Sequence, residues 1–162
     1  KEIYEAIATG SGFFQHGHTY IAHPTACAAG LAVVERLANT DLVRTVGPKG
    51  QQLREMLDER FGQHPHVGDI RGRGLFVGLE FVADRDTKAC FDPSEKLHAK
   101  LKAAAFDAGL ICYPMGGSID GLRGDHVLLA PPFISDESHL TELVEKLGTA
   151  LDMVLSKNNV KG

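Results

Sequence analysis

Apolar positions recur along this chain at two different spacings, and the changes of spacing mark out its elements. Residues 2–8 carry Ile3, Tyr4 and Ile7 among acidic residues and read as a short helix, ended by Gly10-Ser11-Gly12. An aromatic and histidine-rich loop follows, Phe13-Phe14-Gln15-His16-Gly17-His18-Thr19-Tyr20. His23-Pro24 then opens a helix to about Asn39, with proline at the first helical position, where its missing N–H is not needed. Its residues are small and apolar nearly all round, Ala26 through Val34, which predicts a helix buried on most sides. Leu42, Val46, Leu53, Leu57 and Phe61 return at helical spacing, with Pro48 expected to kink or divide that helix.

From Val67 to Val82 the period changes. Two strands around Gly72-Arg73-Gly74 are predicted. Pro93-Ser94 starts another helix, with Ser94 as its N-cap and Leu97, Leu101, Ala105 and Ala108 on one face, stopped by Gly109. Residues 110–113 form a short strand, Pro114 to Asp125 a flexible loop, and residues 126–130 a further strand closed by Pro131-Pro132. Ser135 is expected to cap a last helix bearing Leu140, Leu143, Leu147, Leu151 and Val154. The fold class is therefore α/β of the α+β kind, a small antiparallel or mixed sheet covered by helices.

Composition narrows the function. The 162 residues suffice for one ordinary core, and 43% hydrophobic with 23% charged residues is the balance of a globular protein. A formal charge of -4, with lysine and arginine interspersed among acids, argues against nucleic-acid binding. Cys27, Cys90 and Cys112 are odd in number and far apart, without a CxxC pair, so a reducing, cytoplasmic setting is expected. No apolar run is long enough to span a bilayer, and the opening residues are not expected to act as a signal peptide. The opening Lys1, falling straight into helical text, reads as cut from something longer.

Three segments are candidates for chemistry. His16-Gly17-His18, with His23 and Cys27, offers imidazoles at metal-ligand spacing, but the first acidic residue after them is Glu35. The same loop also reads as a polar loop whose histidines meet backbone or solvent, or, through the Thr19 hydroxyl and amides before a helix N-terminus, as a phosphate grip. Arg71-Gly72-Arg73-Gly74 reads either as a basic anion loop or as a tight turn needing positive φ. Arg123 lies among Gly116, Gly117, Gly121 and Gly124, and is either a carboxylate-binding arginine on a mobile loop or a solvated arginine paired with Asp120 or Asp125.

The string from Phe14 to Ala29 resembles class III (omega) aminotransferases, whose text here is a His-Gly-Phe-Thr-Tyr or similar string, a His-Pro and an alanine-rich helix. Val67 to Leu75 and Gly124 to Ile134 resemble two further stretches of that family, in family order. The subgroup most similar is the amine or omega-amino-acid:pyruvate transaminases. The resemblance implies a pyridoxal-phosphate-dependent transferase of fold type I, with residues 1–39 the tail of the large domain and residues 40–162 the small C-terminal domain. It implies pyridoxal 5'-phosphate as cofactor, small amine and keto-acid substrates, and a homodimer with shared sites. Thr19, with the neighbouring backbone at His18, would bind the cofactor phosphate; His18 stands where many relatives have Phe. The family's Schiff-base lysine would precede Lys1, because none of the lysines present has its context, so no catalytic residue is expected in this chain and it should be inactive alone. A mobile arginine that binds the acceptor's carboxylate stands, in many relatives, where this chain has Gly121. Arg123 is two positions out of that register, and substrate binding by it is a further expectation. The alternative is a non-catalytic binding or dimerisation module that keeps the fold without the chemistry.

Overall fold

The structure is a computed structural model that describes residues 1–14 and 16–158, the side chains of 157 and 158 excepted. Two compact units are present, Lys1–Asp41 and a second that begins at Leu42.

The first unit holds α1 (Glu2–Thr9) and α2 (Pro24–Ala38). His23 caps α2: its Nδ1 accepts the amide hydrogen of Ala26 at 3.3 Å, and Pro24 takes the first helical position as predicted. The expected burial of α2 is not found. Neither helix has a buried residue, and Leu31, Val33 and Val34 are each more than half exposed. Small apolar residues state a preference for cover, and the described residues of this unit do not supply it.

The second unit carries α3 (Leu42–Phe61), β1 (Val67–Arg73), β2 (Phe76–Phe81), α4 (Leu97–Asp107), β3 (Tyr113–Gly116), β4 (Asp125–Leu129) and α5 (Glu137–Asn158). The four strands form one antiparallel sheet in the order β1-β2-β4-β3. Alternation along β2 and β4 sends Val77, Leu79, Phe81, Val127 and Leu129 into the core. In β1 the register shifts between Val67 and Asp69, so Val67 and Ile70, three residues apart, are both buried. Leu53, Leu57 and Phe61 of α3, Leu97 and Leu101 of α4, and Leu140, Leu147 and Leu151 of α5 complete that core.

Several expectations shift in detail. Pro48 lies inside α3 without dividing it. The β1–β2 turn falls on Gly74-Leu75, with Gly74 at φ 56°, the position where a two-residue hairpin favours glycine. Ser94 is not an N-cap: Asp92 caps a 3-10 turn at Pro93–Glu95, Lys96 turns left-handed at φ 49°, and α4 starts only at Leu97. Asp136 replaces Ser135 as the cap of α5, its Oδ1 accepting from the Ser138 hydroxyl and the His139 amide. Residues 110–112 are not a strand. Pro114 belongs to β3, which runs along the sheet edge, where a residue without an N–H is tolerated. The flexible loop is thereby shortened to residues 117–124.

The turn between α3 and β1 holds a half-buried histidine. His64 Nδ1 accepts the His66 amide at 3.1 Å, and its Nε2 lies 3.7 Å from Asp152 of α5. Burial lowers the His64 pKa, and the neighbouring His66 and Arg60 push the same way against the pull of Asp152. A histidine depressed in the folded state stabilises the fold above its unfolded value, near 6.5, and that contribution is lost as pH falls through the folded value. The urea midpoint should therefore drop between pH 7 and pH 5. It should drop less in His64→Asn, which keeps an acceptor for the His66 amide and cannot titrate. Equal pH slopes in the two proteins would remove His64 as the source.

Candidate functional site

The loop before α2 is built from backbone turns. The Ile21 amide donates to the His18 carbonyl at 3.0 Å and the His23 amide to the Tyr20 carbonyl at 3.1 Å, while Ala22 holds φ at 54°, uncommon for a residue with a side chain. His18 and Thr19 are exposed, and the His18 ring tilts against Tyr20 at 6.4 Å between centroids. Among the described residues the Thr19 hydroxyl has no hydrogen-bond partner. No aspartate or glutamate occurs from Gly10 to Val34, so no carboxylate within the segment opposes an anion at the start of α2. The metal reading of this loop gains nothing from the geometry. His23 Nδ1 is committed to the helix cap, and no group of three or more His, Cys, Asp or Glu side chains suited to a metal occurs among the described residues.

Arg123 sits at the tip of the β3–β4 hairpin, in a closed loop. The Ser118 amide donates to the Gly124 carbonyl, Ile119 to Arg123, and Gly121 to Gly117. Asp120 organises the far end: its Oδ1 accepts the amides of Leu122 and Arg123, and its Oδ2 accepts Arg123 Nε at 2.7 Å. Those bonds hold the Asp120 carboxyl down at about 2 and raise the Arg123 guanidinium above its ordinary range. The guanidinium remains exposed, so Arg123 is tethered without being covered. Of the two expected partners, Asp120 is the one engaged.

Asp125 has another role, which the sequence reading missed. It is buried and faces α4, where its Oδ1 accepts the His98 backbone amide at 3.1 Å and His98 Nδ1 at 2.6 Å. A signal for it was present: Asp125 shares the phase of Val127 and Leu129, so the strand pattern places it on the apolar face, where a carboxylate needs a partner. A cavity of about 520 Å³ is lined by Asp125, Gly124, Ser118 and Ile119 of the hairpin together with Lys88 and Cys90.

Arg71 is not available as an anion loop. Its guanidinium donates to Asp69 and Glu80, each at 2.8 Å, which lowers both carboxyls. The tight-turn reading of that segment is the one the structure bears out.

The comparisons give these elements a family. An uncharacterised aminotransferase of Schizosaccharomyces pombe is 48% identical over 144 residues, covering 89% of this chain and 30% of its own length. The diaminobutyrate–2-oxoglutarate transaminase of Halomonas elongata is 32% identical over 155 residues, 94% of this chain and 32% of its own. Among solved structures, an (S)-enantioselective omega-transaminase from Thermomicrobium roseum superposes with a TM-score of 0.75 at 34% identity, over 96% of this chain and 33% of that one. A PLP-bound aminotransferase mutant from Vibrio fluvialis does so with a TM-score of 0.79 at 31% identity, over 96% and 32%. The chain thus spans about a third of the length of the relatives it matches. With residues 1–151 matching the family model for "Aminotransferase class-III" as well, the chain belongs to the class III aminotransferase family.

Proposed function

We propose that this chain is the C-terminal portion of a pyridoxal-phosphate-dependent transaminase that moves an amino group from an amine or omega-amino acid to a keto acid such as pyruvate. The observation that carries the reading is the loop before α2, where an uncommitted Thr19 hydroxyl stands in an acid-free segment within the matched residues. These residues fit a phosphate dianion. Thr19, with the backbone at His18, would hold the phosphate of the cofactor, and the N-terminus of α2 adds favourable charge. When bound, the cofactor supplies an electron sink that eases loss of a proton from the carbon bearing the amino group.

Arg123 would receive the carboxylate of the keto acid. Its guanidinium is always charged, exposed, and kept near one orientation by Asp120. The lysine that binds the cofactor covalently would precede Lys1, and the active sites would be shared between the two subunits of a cytoplasmic homodimer.

Three outcomes test this. The 162-residue chain alone should show no transamination and no borohydride-reducible cofactor adduct; a stoichiometric pyridoxyl adduct at one lysine, found by peptide mass mapping, would contradict it. In the full-length protein, Thr19→Ala should weaken cofactor binding by roughly ten- to a hundredfold, the worth of about 1.5–3 kcal/mol for a hydrogen bond to a charged group. An unchanged dissociation constant in spectroscopic titration of the apo protein would take Thr19 out of the phosphate site. Arg123→Ala should raise KM for pyruvate by roughly thirtyfold, about 2 kcal/mol, and leave the half-reaction with an amine lacking a carboxylate nearly unchanged. Equal losses for both substrates would mark Arg123 as structural.

A further inference from the structure

Loop 117–124, which carries Arg123, joins the sheet at one pair of residues. Gly116, the last of β3, pairs with Asp125, the first of β4, so the direction in which loop 117–124 leaves the sheet is set there. Both are tied to a single side chain on α4. The Asp125 carboxylate binds His98 twice, through the backbone amide and through Nδ1. A carboxylate only accepts, so Nδ1 carries the proton and the ring is fixed in orientation. Against that ring lies Gly116, where an added Cβ would fall 2.6 Å from Nδ1 and from Cε1. The glycine lets the imidazole lie directly on the strand backbone.

Above this base the loop is constructed to move as one piece. Three backbone hydrogen bonds cross it, and Gly117 passes so close to the Gly121 carbonyl that a Cβ would come within 2.7 Å of it. Asp120 then fixes Arg123 to the loop through two hydrogen bonds. A rotation at the base is therefore carried to the guanidinium with little slack between.

We propose that His98 and Asp125 are positioning residues for Arg123: the ring of α4, held by the buried carboxylate and seated on Gly116, sets the orientation in which the hairpin presents its arginine to a substrate carboxylate. This rests on the reading of Arg123 as the group that binds the keto acid. Neither residue touches substrate, so the pair acts on the binding of one substrate rather than on the chemical step.

The test uses the full-length protein and steady-state kinetics with pyruvate. His98→Leu removes the ring donor and should raise KM for pyruvate about tenfold, the worth of one hydrogen bond to a charged group, with kcat within about twofold. His98→Asn places a carboxamide nitrogen where Nδ1 stood and should restore most of that loss. Gly116→Ala keeps both partners but drives the ring off its seat, and should reproduce the rise in KM even if His98→Leu does not fold. In an Arg123→Ala background, His98→Leu should add nothing further, because the residue through which it acts is gone. The proposal is overturned if His98→Leu and Gly116→Ala leave KM unchanged, if the asparagine is as poor as the leucine, or if the loss persists undiminished without Arg123. If Arg123→Ala alone leaves KM for pyruvate unchanged, it is the reading of Arg123 that fails. A normal Arg123 effect with a silent His98 retains that reading and removes only the positioning pair.

Discussion

Helix α3 reaches the β1–β2 hairpin at a point where neither element has a side chain. Gly50 is buried against Gly74, and a Cβ on Gly50 would collide with the Gly74 backbone; a Cβ on Gly74 would lie 2.8 Å from Val46 of α3. This backbone-to-backbone approach fixes how far the helix stands from the sheet. It thereby positions Leu53, Leu57 and Phe61, one to three turns further along, within the core that also holds Val77, Leu79 and Phe81. Each such side chain contributes about 1.5–3 kcal/mol when fully buried, so the cluster exceeds any ion pair in the unit. A second glycine repeats the device at α5, where Gly148 leaves room for the Arg60 guanidinium, 2.7 Å at Nε from where a Cβ would be. The arginine also lies over the Phe61 ring at 5.2 Å and reaches Asp152.

Much of this was legible in the sequence because it depends on local pattern. The alternation at 76–81 and 125–129 and the helical spacing of Leu53, Leu57 and Phe61 each state which face is covered, and the core follows them. What escaped depends on neighbours distant in the chain. Pro114 reads as a strand breaker until its strand is known to lie at the sheet edge, which is tertiary information. Ser135 competes with Asp136 for one capping role and the aspartate has it, while beside Ser94 it is Asp92 that caps a 3-10 turn, and α4 begins after Lys96 without a side-chain cap. Composition offers no means of choosing between two such neighbours. The small apolar residues of α2 describe what the helix prefers, not what is present to cover it.

The candidate site divides in the same way. The loop at His18 and Thr19 was visible as text because a segment without acids before a proline-started helix is a chemical pattern in its own right. Arg123 was visible as a residue but not as a geometry. Only the fold shows that Asp120 restrains it and that Asp125, adjacent to the loop, faces inward to His98 instead. The Asp120 carboxyl is held at about 2, so the pair stays fully ionised throughout the neutral range. A carboxylate approaching Arg123 therefore meets a guanidinium with Nε already engaged, and must use the outer nitrogens.

The first unit, by contrast, has no buried residue among its described residues. An α-helix of fifteen residues with none buried is near the limit of what backbone hydrogen bonding alone sustains in water. Its capped start and its apolar surface suit a helix whose stability is supplied from outside. Any surface that covers Leu31, Val33 and Val34 then behaves as a ligand for the folded helix, and the fraction of helix formed rises with the concentration and affinity of that surface. Amide hydrogens of α2 would exchange on the timescale of helix opening, while those of β2 and β4 would wait for the opening of the whole core.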